Sequence, residues 1–390
     1  MIRNVYIKNG LINTVFKLLS AVNMLTQKDD KKILLYSDTT FRDNTRYLFE
    51  YLKENNANRK YEIICAVKDY QQYKEQQESN IYFVSPIKGV MEYLTCGHVF
   101  YSFGKIPIKP AKRQSVIQMW HGTSFKGFAE NQKKTNNLAN NFYTYVYASS
   151  EYFKDIVAKK FCVPLKNVVI CGHPRTDILY RADCIYDFGT YDKMVMWLPT
   201  FRKSKELGMQ DGKLNGIIPL VADSDLKIFD QYLRSKNIFV IVKLHPEQDV
   251  SSVKGQEFTH LQLMTDSIFR EKKYDLYALL KCADALITDY SSVFYDYLLL
   301  NRPIGFTEDD VEEYRDSRGF AVDDPDTFRP GMKMRTMKDL EVFIDNLIEG
   351  KDDYIQARMK INNLSNKYQD GNNCKRTLEI SGIDLEVGNN

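Results

Sequence analysis

Short runs of β-branched and aromatic residues recur along this chain, each followed by a stretch of helical period, and that alternation limits the fold more than any other feature. In the first half the runs are ILLYS (33–37), YEIICAV (61–67), IYFVS (81–85), HVFYSF (98–103), SVIQMW (115–120), YTYVYAS (143–149) and VVICG (168–172). After a linker-like stretch, CIYDFGTYDK at 184–193, the pattern restarts with MVMWLP (194–199), IFVIVKL (238–244), HLQLM (260–264), ALIT (285–288) and PIGF (303–306). Strands that alternate with helices predict βαβ units and mostly parallel sheets. At 390 residues the chain exceeds one ordinary core, so two α/β domains of Rossmann-like design are expected. Loops that follow such strands gather at one edge of the sheet, where ligands bind.

Composition excludes some function classes. With 54 basic and 51 acidic residues the net charge is only +3, and no basic stripe points to nucleic acid. The 7 cysteines are scattered, odd in number and without C-x-x-C spacing, which predicts neither a disulfide framework nor a zinc site and fits a reducing compartment. Residues 11–25, LINTVFKLLSAVNML, place Leu11, Ile12, Val15, Leu18, Leu19, Val22 and Leu25 on one helical face. The run is too short and polar to span a bilayer and lacks a cleavage site. It reads either as a helix packed on the first domain or as one lying on a membrane.

Several short motifs with phosphate chemistry follow these strands. In DALITDYSSVFYDYLLLNRPIGF (284–306) an apolar strand runs through Thr288, Asp289, Tyr290, Ser291 and Ser292 into a helical pattern that Asn301-Arg302-Pro303 stops. Such a junction offers backbone N–H groups and a helix N-terminus to a phosphate, although a plain helix cap gives the same string. QMWHGTSFKG (118–127) sets His121, Gly122 and Thr123 directly after a strand, with Lys126 downstream. Imidazole suits proton transfer near neutrality, and glycine lets a substrate approach the backbone. GHPRTD (172–177) offers Arg175 as an anion fork and Asp177 as an acid to orient it; a surface ion pair at a helix start is the equal alternative. Thr200 and Arg202 in PTFR end another strand. Lys243 and His245 in KLHP lie two apart on a strand and so share a side, as a diphosphate site would need. Asp310, in TEDD, and Arg318, in RGF, follow the last of the predicted strands. Residues 201–217 lack strand or helix period and read as a loop.

Taken together and in order, WHGTSFK, GHPRTD, LPTFR, KLHP, ITDYSSVFYDYLLLNRPI and the DD-to-RGF segment resemble the CDP-glycerol glycerophosphotransferase family of teichoic acid and capsule biosynthesis. The resemblance covers roughly residues 95–370. It implies a GT-B-like fold, with two Rossmann-like domains facing across a cleft: an amphipathic membrane helix at 1–28, an acceptor domain at 29–188, a CDP-donor domain at 189–350, and helices at 351–390 returning toward the first domain. It tips residues 11–25 toward an interfacial helix on the cytoplasmic face of the membrane. It also implies transfer of glycerol phosphate from CDP-glycerol to a lipid-linked glycan or polyol-phosphate hydroxyl, with CMP released.

In that scheme His121 is the general base and His245 stabilises charge on the leaving phosphate. Ser291, Ser292, Asp289 and Lys243 hold the diphosphate, and Thr200 and Arg202 line the nucleotide side. Gly122, Thr123, Lys126, Arg175, Asp177, Asp310 and Arg318 support the site or the acceptor. No metal or other cofactor is expected. The alternatives are a CDP-ribitol or nucleotide-sugar transferase of the same build and, from another class, a non-catalytic nucleotide-binding membrane scaffold.

Overall fold

The computed structural model describes residues 10, 12–127, 141–181, 184–200, 203–204, 209–210, 216–244, 250–253 and 255–385. By internal contacts the chain divides into two compact units: Met1–His121, Asn136–Asp177 and Lys367–Asn390 form the first, Gly122–Thr135 and Ile178–Asn366 the second. The helix Ile355–Ser365 therefore groups with the second unit and Asn373–Ser381 with the first.

The first unit is built on seven strands: β1 (Asp29–Tyr36), β2 (Glu62–Ala66), β3 (Ile81–Val84), β4 (Cys96–Tyr101), β5 (Ser115–Gln118), β6 (Tyr145–Ala148) and β7 (Val168–Ile170). Their order is β3-β2-β1-β4-β5-β6-β7 and every pairing is parallel, so the sheet is doubly wound and its order reverses between β1 and β4. The strands are buried on both faces, which is why they read as continuous apolar runs. Ile33, Leu35, Ile63, Phe83, Phe100 and Ile117 form the core of one face, and Cys374 and Leu378 of the last helix join it. That helix is fastened by the GHPRTD segment. The Asp177 carboxylate accepts from the backbone N–H of Asn373 (2.9 Å) and of Cys374 (2.7 Å), capping the helix. Gly172 permits the close approach, since a Cβ there would fall 2.3 Å from Asn373 Oδ1.

The second unit repeats the design with β8 (Lys193–Leu198), β11 (Ile238–Lys243), β12 (Leu261–Met264), β13 (Ala285–Thr288), β14 (Ile304–Thr307) and β15 (Met332–Met334); β9 (Lys203–Ser204) and β10 (Met209–Gln210) form a separate short hairpin. The sheet order is β12-β11-β8-β13-β14-β15, all parallel, with its reversal between β8 and β13. Val195, Trp197, Phe229, Val240, Ile287 and Ile344 fill its core. The predicted stop at Asn301 is real: the residue takes the left-handed conformation (φ 48°) and the buried Arg358 donates to both its carbonyl and its side chain, 3.2 Å each.

The N-terminal helix resolves which of its faces is inward. The helix Lys17–Leu25 has its polar residues inward: Ser20 and Asn23 are buried, and Asn23 Nδ2 donates to Lys109 O and to Gln114 Oε1, both at 2.8 Å. Leu18 (67% exposed), Val22 and Leu25 (89% exposed) face solvent. The helix is therefore attached to the first unit by the face opposite the predicted apolar stripe. Among the described residues no helix is long and apolar enough to cross a membrane.

One expectation, on cysteine, needs correction. Cys184 and Cys282 are bonded, closing 98 residues between the linker and the end of the helix Leu276–Cys282. Spacing could not reveal a pair so distant in sequence, and the bond runs against the reducing-compartment expectation. For a loop of this size the chain-entropy account gives a ceiling of about 4 to 5 kcal/mol. Reduction is accordingly expected to lower the urea midpoint of the wild type and to leave a Cys184→Ser variant unmoved. Identical wild-type midpoints with and without dithiothreitol would mean that the bond is absent in solution.

Candidate functional site

Each sheet reverses its strand order at one place, and in the second unit two of the motifs follow the two strands that flank it. In the second unit these are Pro199-Thr200 after β8 and Asp289 to Ser292 after β13. Asp289 is fully buried. Its carboxylate accepts from Thr200 N (2.7 Å), from the Thr200 hydroxyl, from Tyr290 N (2.5 Å) and from Ser291 N (3.2 Å). One side chain thus ties both loops across the reversal. Lys126 Nζ reaches Thr200 Oγ1 at 3.5 Å. Its backbone pairs with Phe320 in an isolated antiparallel bridge, flanked by Gly127 N to Gly319 O and Ala321 N to Phe125 O, each 2.8 Å. The stretch after His121 is in this way stitched to the Arg318-Gly319-Phe320 segment within the second unit. Tyr290 stacks on Tyr314 (3.9 Å) and donates to Asp310 at 3.0 Å.

In the first unit the corresponding loops follow β1, β4 and β5. His121 lies between two rings, with Phe103 stacked parallel at 4.7 Å and Trp120 tilted at 3.8 Å. Trp120 holds φ at 61°, an outlying value for a bulky residue. Its backbone is pinned on both sides: Asn44 Nδ2 donates to Trp120 O (2.6 Å), and Trp120 N donates to Gln118 Oε1 (3.0 Å). Lys160 Nζ lies 4.7 Å over the Trp120 ring, and the Arg42 guanidinium 4.9 Å over Phe103. Burial, then the positive charges of Lys160 and Arg175, hold the His121 pKa well below the ordinary imidazole value, although the ring keeps part of its surface in solvent.

Residues 18–380 match the family of CDP-glycerol:poly(glycerophosphate) glycerophosphotransferases. The chain belongs to that family. As a family member it is a transferase. It is 27% identical to the teichoic acid ribitol-phosphate primase of Bacillus spizizenii over 98% of both chains. It is 26% identical to the teichoic acid glycerol-phosphate primase of Bacillus subtilis over 96% of this chain and 98% of that one. The solved structure of a variant of the wall teichoic acid polymerase TagF superimposes with a TM-score of 0.73 at 20% identity, over 97% of this chain and 96% of that chain. That likeness establishes the fold.

Within this glycerophosphotransferase fold the sequence-predicted residues divide. Thr200, Asp289, Ser291, Ser292, Lys126, Asp310 and Arg318 belong to the second unit, and so do Gly122 (φ 134°) and the buried Thr123. Asp289, expected to hold a diphosphate, has its carboxylate filled by loop donors. Ser291 and Ser292 stand ahead of a helix of only 5 residues, Val293–Tyr297, and the Ser291 N–H is taken by Asp289, so the expected helix-dipole contribution is small. Lys243 is ion-paired to Asp266 (2.5 Å) and lies 5.3 Å over Phe269. Arg175 and Asp177 do not pair with each other: Arg175 Nη1 binds Asp43 Oδ2 at 2.7 Å, while Asp177 caps the last helix. Both lie in the short 3₁₀ segment Pro174–Tyr180. His245 and Arg202 lie outside the described residues. Among the described residues no three His, Cys, Asp or Glu side chains are grouped to hold a metal ion.

Sequence reading missed Arg42, Asp43, Asn44, Phe103, Trp120 and Lys160. The signal available was topological: a loop after the first strand of a doubly wound sheet borders the reversal whatever its composition. In a ring-proton NMR titration His121 should stay neutral to a lower pH than the ordinary value of about 6.5. Lys160→Gln should move that titration upward, because it removes a charge that disfavours imidazolium. Titration near the ordinary value in both proteins would contradict this electrostatic account.

Proposed function

We propose that this chain transfers glycerol phosphate from CDP-glycerol to a hydroxyl of a membrane-linked glycan or polyol-phosphate acceptor, releasing CMP. The observation that carries the reading is the setting of His121, an imidazole kept neutral between two rings at the ligand edge of a doubly wound sheet. A neutral imidazole can take a proton, and here it takes the proton of the acceptor hydroxyl. The acceptor oxygen bonds to the phosphorus that bears glycerol, the bond from that phosphorus to the CMP oxygen breaks, and the electron pair leaves on CMP. Donors around that diphosphate act chiefly as charge builds on the leaving phosphate. In the GT-B arrangement that the family resemblance implies, His245, Ser291, Ser292 and Arg202 supply these donors, and the tie through Asp289 orders the loop that carries Ser291. No step is routed through a metal or cofactor.

The protein is proposed to work peripherally at the cytoplasmic face of the membrane. What supports this is the outward row of Leu18, Val22 and Leu25 on a helix whose polar side is fastened to the first unit. The ribitol-phosphate primase among its relatives makes CDP-ribitol the second donor to test.

Replacing His121 by Ala should lower CMP release roughly 10²- to 10⁴-fold, the usual worth of a general base, with CDP-glycerol binding by calorimetry nearly intact. Near-normal turnover would remove His121 from this role, and a panel of CDP-glycerol, CDP-ribitol and nucleotide sugars identifies the donor. Replacing Leu18, Val22 and Leu25 together by Gln should weaken sedimentation with phosphatidylglycerol vesicles roughly tenfold or more, since each apolar side chain contributes about 1.5 to 3 kcal/mol when fully buried. Unchanged sedimentation would mean that the helix does not dock on lipid.

A further inference from the structure

Two buried carboxamides hold the backbone from which His121 and its neighbouring rings project. Gln118, at the end of β5, and Asn44, in the first turn of the helix Asp43–Glu54, are 1% and 0% exposed. Gln118 Oε1 accepts from Trp120 N at 3.0 Å, and its Nε2 donates at 3.3 Å to the carbonyl of Gly104, the residue after Phe103. Asn44 Nδ2 donates to Trp120 O at 2.6 Å, and its Oδ1 accepts from Arg175 N at 3.1 Å. The N–H and the C=O of Trp120 are therefore both bound by side chains.

A left-handed tryptophan needs such support. With φ at 61°, Trp120 holds a conformation that a bulky residue keeps only where its surroundings over-determine it. That conformation turns the chain between β5 and His121, and so sets the direction in which the imidazole leaves the backbone. Relaxation of Trp120 to negative φ would swing His121 off Phe103, on which it stacks at 4.7 Å with the planes 8° apart. Each brace joins a backbone acceptor to a backbone donor, and a carboxamide carries both a donor and an acceptor. It is also uncharged, so it fixes the ring without altering the positive groups that face it: Lys160, Arg175 and His173, with Arg42 over Phe103. The acid beside Asn44, Asp43, is paired with Arg175 at 2.7 Å.

We propose that Asn44 and Gln118 are positioning residues for the proton transfer: by fixing Trp120 in its left-handed conformation they hold the His121 imidazole in the orientation from which it takes the acceptor's proton. The inference rests on the transfer reading given above, in which His121 is the base. Both residues act through Trp120 and not on the reacting atoms, so their loss is felt in the rate of turnover and not in donor binding.

The test combines turnover with ring-proton NMR on Asn44→Ala, Gln118→Met and the double variant, using CDP-glycerol and a soluble alkyl disaccharide that bears one glycerol phosphate. Each single variant should lower kcat roughly 10- to 10²-fold at unchanged donor KM, as expected when a reacting group is misplaced by about an ångström. The double variant should lose less than the product of the two, because both act through one residue. In the wild type the rings of Phe103 and Trp120 should shift the His121 ring protons upfield. In the variants these protons should move downfield, and the ring should titrate closer to about 6.5 as it gains water. A substitution that only weakened the fold would leave both readouts of the folded protein unmoved. Asn44 Nδ2 also lies 3.4 Å from His173 Nδ1, so the titration of Gln118→Met, which spares that contact, is the one that decides. Where Asn44→Ala does not fold, Asn44→Asp keeps the acceptor for Arg175 N, loses the donor to Trp120 O and should show the same ring-proton shift. Wild-type kcat in the single variants, losses that multiply, or a fall in kcat with the His121 resonances and titration unmoved would overturn the proposal and leave the transfer reading intact. Near-normal turnover by His121→Ala, or no CMP release by the wild type, would instead overturn the transfer reading and this inference with it.

Discussion

A single buried carboxylate sets the shape of the second unit's ligand edge. Asp289 accepts from both the backbone and the hydroxyl of Thr200, and from the two N–H groups that follow it. Ionised carboxylates are satisfied in protein interiors by this kind of multiple donation. Without it, the loops after β8 and β13 would present unpaired donors to each other across the point where the sheet order reverses. Ser291 is held directly by this tie and Lys126 meets it through Thr200, while the Lys126 backbone is fixed by its bridge to Phe320.

The first unit solves the same problem by another route. Its reversal point is braced by Asn44, which donates to the carbonyl of Trp120 and accepts from Arg175 N at 3.1 Å. The Arg175–Asp43 pair lies beneath. Asp43, like Trp120, has φ at 61°, so both non-glycine residues take left-handed conformations. Each such residue costs of order 1 to 3 kcal/mol and persists only where its surroundings hold it. The GHPRTD segment that carries Arg175 also carries Asp177, which fastens the C-terminal helix. Its substitution would act through the fold as well as through the site.

The strand runs were legible because both faces of each sheet are covered, which leaves runs such as IFVIVKL and ALIT apolar from end to end. Met332–Met334 escaped notice because three residues in MKM carry no period, and only pairing with β14 makes them a strand. The motifs HGT, GHPRTD, PT and DYSS each follow a strand, as the alternation of the sequence placed them. Their internal wiring was not legible. Arg175 and Asp177 are two apart in sequence and diverge because a 3₁₀ turn lies under them. Lys243 was aligned with His245 by strand alternation, yet Asp266, from the next helix, holds its ammonium. Helical periodicity grouped the apolar residues of 17–25 without indicating which face would be inside. That depended on Gln114 and the carbonyl of Lys109, distant in sequence, being placed to receive Asn23.

The electrostatics of the first unit pull in two directions, and the resolution explains why aromatic rings surround the histidine. Positive charge near a hydroxyl favours its ionisation and so helps the attack on phosphorus, but the same charge disfavours the imidazolium that must carry the proton away. Bringing Arg42 and Lys160 directly against His121 would suppress its basicity. Each cation lies instead over an aromatic ring, Arg42 over Phe103 and Lys160 over Trp120, and the negative face of the ring draws the cation to it. Burial and the charges of Lys160 and Arg175 nonetheless hold the imidazole neutral, the form in which it can accept a proton.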